Sequence, residues 1–459
     1  MFLVALLVLG TASGQSADAQ YDFDQPPINY SRTAPDDAVA RLGAQIDSGE
    51  IELEYDTQRQ FLPALLEALD VPVSSQTLVF SKTSVQDRHV ATTNPRAIYF
   101  NDDVYVGWIP GAPHIEIAAV DPELGGVFYR VIDRNRRSRL RSETVREQFQ
   151  TSVSRVSSRV SSIEDIIQPR FARGDCMRCH ATRRTERIPG FLVRSVFPDE
   201  DGTIILPLGT TDVDQTTPFE ERFGGWYVTG QHGEMRHRGN AIANRDADPP
   251  LDMEAFANVS SLEQFPFVLD RYLSPESDIV AGMLLAHQSV MHNLITKAAF
   301  ETRQALYQQR EMNDALERDE GFLHETTRSR INGVADALVE YLLFSGEFEL
   351  TSPVEGSADF AEHFQSLGPF DSKGRSLRQF DLQTRMFKYP CSYLIYSDSF
   401  DFLPEPVLQL VLDKLLDVLT GDESSEKFAH LSADDRQAIL EILVETKPIV
   451  KERLESREP

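Results

Sequence analysis

Residues 176–180 read Cys-Met-Arg-Cys-His, in a chain of 459 residues that holds three cysteines and ten histidines. Two thiols spaced by two residues, with an imidazole directly after them, suit one chemistry closely. Each cysteine can add across a vinyl group of a porphyrin, and the adjacent histidine then reaches the iron as its proximal axial ligand. Whatever fold carries this string must leave room beside it for a rigid, flat macrocycle. The competing uses of such residues fit less well. A zinc site needs a second Cys/His pair at ligand spacing, and a thioredoxin-like pair needs a strand-to-helix setting without the attached histidine. The expected cofactor is therefore one covalent haem c, held by Cys176 and Cys179 and ligated by His180.

The surrounding periodicity sets the fold class. Residues 20–75 read as a polar N-terminal arm with helices near Ala38–Ile46 and Gln58–Leu69. From Gln76, the stretches TLVF, RAIYF, VYVGWI, IEIAAV and GVFYRVI alternate or run apolar between turn residues, which signals strands. Ser142–Ile167 reads as a polar helix or exposed connection. Strand signals return in FLVRSVF, TIILPL and GGWYVTG, with Pro189-Gly190 and Asp201-Gly202 as turns. Ser274-Pro275-Glu276 is a helix start, followed by apolar residues at helical spacing through Val280, Met283, Leu284, His287, Met291, Leu294 and Ala298. Further helices are expected over Gly333–Leu343, Glu405–Leu419 and Ala433–Glu445. The fold class is α+β: a β-rich haem-binding domain over 76–245, a linker over 246–273 and a mainly helical region over 274–459.

Compartment follows from the first residues. MFLVALLVLGTASGQSADAQ has a short apolar core and an Ala17-Asp18-Ala19 cleavage pattern, so 1–19 reads as a signal peptide although no Lys or Arg precedes the core. A periplasmic or otherwise exported location is expected, as covalent haem attachment in bacteria requires. No later stretch reaches about eighteen consecutive apolar residues, so no transmembrane segment is expected in the mature chain. The net charge of −27 argues against nucleic acid and for a basic or neutral partner, most simply a redox protein. Against that charge, arginines crowd the region from Arg130 to Arg194, and one or two are expected to pair with haem propionates. Cys391, in KYPCSYLIYS, reads as a buried small hydrophobe.

The C-x-x-C-H string resembles the c-type cytochrome superfamily. A wider likeness runs from about Leu78 to Lys447 through VFSKTS, PRAIYFNDDVYVGW, CMRCH, GGWYVTGQHG, SDIVAGMLLAHQSVMHNLIT, GRSLRQFDLQTRMFKYPCSYLIYS and ILEIL. These strings resemble a family of large exported monohaem proteins described as cytochrome c domain-containing. The resemblance implies haem binding and electron transfer, and assigns no reaction.

The sixth iron position decides the chemistry, because a strong ligand gives an electron-transfer centre and an open site admits small molecules. His232, in a glycine-flanked loop after the GGWYVT strand, is the first candidate for this distal position, with Met235 and His237 as alternatives. His114, after Pro113, is a further candidate for haem contact, and Trp226 and Tyr227 are candidates to pack on the porphyrin. His287 and His292, near Glu301, stand at i,i+5, which does not aim both rings at one ion; buried, hydrogen-bonded histidines are the simpler reading. Electron transfer leads. The alternatives are a peroxidase-like haem oxidoreductase, a small-ligand haem sensor, or a docking protein with structural haem.

Overall fold

The computed structural model describes residues 21–132, 167–168, 176–357 and 359–457. The expected signal peptide and the arginine-rich stretch from Arg134 to Arg173 lie outside the described residues, apart from Ile167 and Gln168. The chain is α+β, as its periodicity implies. Strands β1 (Thr77–Val79), β2 (Arg96–Phe100), β3 (Val104–Trp108), β4 (His114–Asp121) and β5 (Gly125–Ile132) form an antiparallel meander. β6 (Ile167–Gln168) pairs with β5, and β9 (Trp226–Tyr227) returns to pair with β1, giving a seven-stranded sheet. Two small ribbons lie apart: β7 (Arg194–Val196) with β8 (Thr210–Asp212), and β10 (Gly230–Gln231) with β11 (Glu355–Gly356).

Side-chain alternation gives the sheet two unlike faces. Leu78, Ala97, Tyr99, Val106, Trp108, Ile115, Ile117 and Val127 form a buried apolar face. The N-terminal arm covers it with Phe23, Ile28, Tyr30 and the helices α1 (Ala38–Asp47) and α2 (Leu62–Ala68). Residues 246–273 are no free tether: Val259, Leu262, Phe265 and Tyr272 join the same core, and the Tyr272 hydroxyl donates to the Pro95 carbonyl at 2.8 Å.

The opposite face is covered at one end only. Val79, Phe100, Tyr105 and Val120 pack into a second core with the helical region. Its axis is a helix of 37 residues, Ile279–Ala315, preceded by the short α3 (Met177–His180) and therefore numbered α4. From Ile279 to Met291 nearly every residue of α4 is buried, as a helix wrapped by other elements must be. α5 (Glu325–Leu342), α6 (Phe360–Ser366), α7 (Asp398–Asp401), α8 (Glu405–Thr420), α9 (Ala433–Thr446) and α10 (Pro448–Arg457) complete the region. The start of α4 falls after the expected Ser274-Pro275-Glu276. Asp278 is its N-cap, accepting from the Ala281 amide at 2.9 Å, while Ser277 links the Leu78 amide to the Tyr227 carbonyl and holds the preceding chain on the sheet. Cys391 is fully buried in the helical core, where burial pushes its thiol pKa up.

Candidate haem site

The C-x-x-C-H string forms α3, one helical turn whose His180 amide bonds the Cys176 carbonyl at 2.9 Å. Met177 is buried beneath it, while Cys179 faces outward and Cys176 is half-buried; neither cysteine is in a disulfide. The turn puts both thiols and the His180 imidazole at the edge of one cleft.

His180 is oriented by its surroundings. Its Nδ1 lies 2.9 Å from the Gly190 carbonyl, which selects the tautomer protonated at Nδ1 and leaves the Nε2 lone pair for a metal. The Phe128 ring packs against the imidazole with centroids 4.4 Å apart. Burial lowers the pKa of His180 and holds it neutral, as iron ligation requires, with the Gly190 hydrogen bond opposing this in part. Gly190 is in turn fixed from α4. The Asn293 side chain accepts from the Phe191 amide and donates to the Phe191 carbonyl, both at 2.8 Å. A Cβ at Gly190 would lie 2.3 Å from Asn293 Oδ1, so only glycine admits this approach.

The cleft is about 1050 Å³, large enough for a cofactor on the scale of pockets that hold small organic ligands, roughly 300–1,000 Å³. Its floor is the uncovered half of the sheet. Register places Ile98, Gly107, Glu116 and Arg130 in one row across β2 to β5, and Tyr105, Ala118 and Phe128 in the next. Phe191, Trp226 and Leu285 add apolar walls. Among the described residues seven cations line the cleft, Lys82, Arg96, Arg130, Arg178, Arg183, Arg184 and Arg194, against the single carboxylate of Glu116. That carboxylate is saturated by Ser84, Gln86 and Arg96. Arg184 pairs with Asp212 at 2.9 Å. Buried Nε atoms of Arg96 and Arg194 and the buried Nε2 of His114 have no hydrogen-bond partner among the described residues. A cationic, partly apolar cleft beside two thiols fits a flat apolar group bearing carboxylates.

The structure brings His114 and Trp226, candidates for haem contact and porphyrin packing, to the cleft and keeps the distal candidates His232, Met235 and His237 out of its lining. His232 corrects the expectation for a clear reason. Both its nitrogens are committed: Nδ1 to the Met235 carbonyl at 2.7 Å and Nε2 to the Asn258 amide at 3.0 Å. The strand end before it is real, but β10 pairs with β11 in the helical region, so the loop turns away from the sheet. Met235 is buried in the helical core, and His237 packs between Phe219 and Phe223, where burial lowers its pKa to about 3. His232→Ala should therefore leave the spectrum of a bound haem unchanged and instead destabilise the fold, by about 1–3 kcal/mol for the Asn258 amide left unpaired, while the Met235 carbonyl keeps its bond from Arg236. Denaturant unfolding and optical spectra of the same sample check both halves. Tyr227 lies on the other face of the sheet, against Phe80 and Phe265.

His287 is buried with Nδ1 2.7 Å from Gln215 and Nε2 2.8 Å from Ser392, and Glu301 pairs with Arg330. His292 bonds the Asp102 carbonyl through Nε2. Sequence reasoning missed Asn293, Gly107 and Glu116; a glycine inside the VYVGW strand was the only local signal among them. Comparison of the chain with family models, with curated proteins and with solved structures gives no match.

Proposed function

We propose that this chain is an exported monohaem c-type cytochrome that transfers single electrons. The observation that carries the reading is the C-x-x-C-H turn opening onto a cationic, apolar-floored cleft, with His180 already held in the tautomer that frees Nε2. Cys176 and Cys179 would hold the porphyrin through thioethers, His180 would ligate the iron, and arginines of the cleft lining would pair with the propionates. When bound, the haem supplies reversible one-electron exchange between ferric and ferrous iron. The protein supplies orientation of the imidazole through Gly190, exclusion of water by Phe128, Phe191 and Trp226, and positive charge around the cofactor. Export follows from the N-terminal pattern and from where attachment takes place. Among the described residues no helix is long and apolar enough to cross a membrane. With a net charge of −27, a redox partner of basic or neutral surface is the one proposed, and nucleic acid is not.

Optical potentiometric titration of the purified, haem-loaded protein is the test. A reversible one-electron transition with low-spin spectra in both states, inert to carbon monoxide, is expected. A high-spin iron that binds carbon monoxide or peroxide readily would replace electron transfer with small-ligand chemistry.

A further inference from the structure

Which residue faces His180 across the cofactor follows from the register of the sheet. The His180 ring packs against Phe128, tilted by 43°, and the partner of Phe128 across the β4–β5 ladder is Ala118. His114 is on the same strand and the same face as Ala118, four residues away, because side chains two and four apart share a face. At about 3.3 Å per residue the two positions stand about 13 Å apart. The row between them is Ile98, Gly107, Glu116 and Arg130. Its centre is bare. A Cβ at Gly107 would meet nothing closer than Glu116 at 3.7 Å, so no protein neighbour demands a glycine there. A strand glycine without a packing reason marks the place where a ligand approaches the backbone.

We infer that His114 is the sixth ligand of a haem held by the C-x-x-C-H turn, facing His180 across the cleft. The assignment rests on the haem reading proposed above. His114 lines the cleft wall, and no hydrogen bond among the described residues holds its ring; Nε2 is buried and unpaired as placed, so a turn of the ring about its side-chain bonds would present a lone pair to the cleft. Its strand position is fixed by the ladder to Ile132 and by Gln86, whose side-chain amide donates to the His114 carbonyl at 3.0 Å. Apart from His180 of the attachment turn, the described residues of the lining offer one other nitrogen able to ligate, that of Lys82, which donates to Thr203 Oγ1 at 3.2 Å.

The test compares wild type with His114→Ala, His114→Met and Lys82→Ala, each purified with haem and first checked for covalent haem after denaturing electrophoresis. Wild type and Lys82→Ala are expected to be low-spin. His114→Ala should lose the low-spin signal and recover it with added imidazole, while His114→Met should stay low-spin with a shifted potential and a methionine–iron charge-transfer band. A low-spin His114→Ala, a high-spin wild type, or loss of the low-spin signal in Lys82→Ala would each overturn the assignment and leave the haem reading intact. Absence of covalent haem from the wild type would remove the haem reading itself and the assignment with it.

Discussion

Replacing Cys176 and Cys179 together by Ala should abolish covalent haem, leaving no haem-stained band after denaturing electrophoresis of the exported protein. The expectation rests on chemistry with no substitute in this chain. The third cysteine, Cys391, is fully buried in the helical core and stands nowhere near the lining of the cleft. Each single substitution should leave a weaker band, because the remaining thiol can still form one thioether. Folding should be only mildly affected in the apo form, since Cys179 is exposed and Cys176 half-buried. A full-strength haem band in the double variant would end the proposal that these thiols attach a cofactor.

Asn293→Ala should have the largest effect on stability of any change at the site, about 2–5 kcal/mol in denaturant unfolding. It strands the buried amide and carbonyl of Phe191, each at a cost of about 1–3 kcal/mol. The effect should reach the cofactor as well. Gly190 and Phe191 carry the carbonyl that orients His180, so loosening them releases the imidazole from its single tautomer and angle. Magnetic resonance of the haem-loaded variant should show a heterogeneous iron signal where wild type shows one. A homogeneous, unchanged signal would mean that the iron–histidine bond, not Gly190, holds the ring. Neither Asn293 nor Gly190 touches the expected position of the iron; they act through His180.

How much of this was legible beforehand divides along a physical line. Local chemistry was readable. Five adjacent residues carry the two thiols and the imidazole of the proposed attachment site, and no tertiary contact is needed to place them within one helical turn. Period-two alternation announced β2 to β5, and helical spacing announced α4, because those patterns reflect burial of one face along a continuous stretch. The choice of His232 failed where locality failed. Its glycine-flanked strand end suited close approach to a ring, but β10 found its hydrogen-bond partner in Glu355-Gly356, and Asn258 took the remaining nitrogen. Alternation also could not tell which part of the sheet's second face stays uncovered. That depends on where α4 crosses it, closing over Phe100, Tyr105 and Val120 and leaving Gly107, Glu116 and His114 open to the cleft. The sequence by itself determined the cluster of two thiols and an imidazole and the alternation of the strands, since both are written in neighbouring residues. Only the tertiary structure decided which histidine faces the cleft, because that depends on strand register and on pairings between segments far apart in the chain.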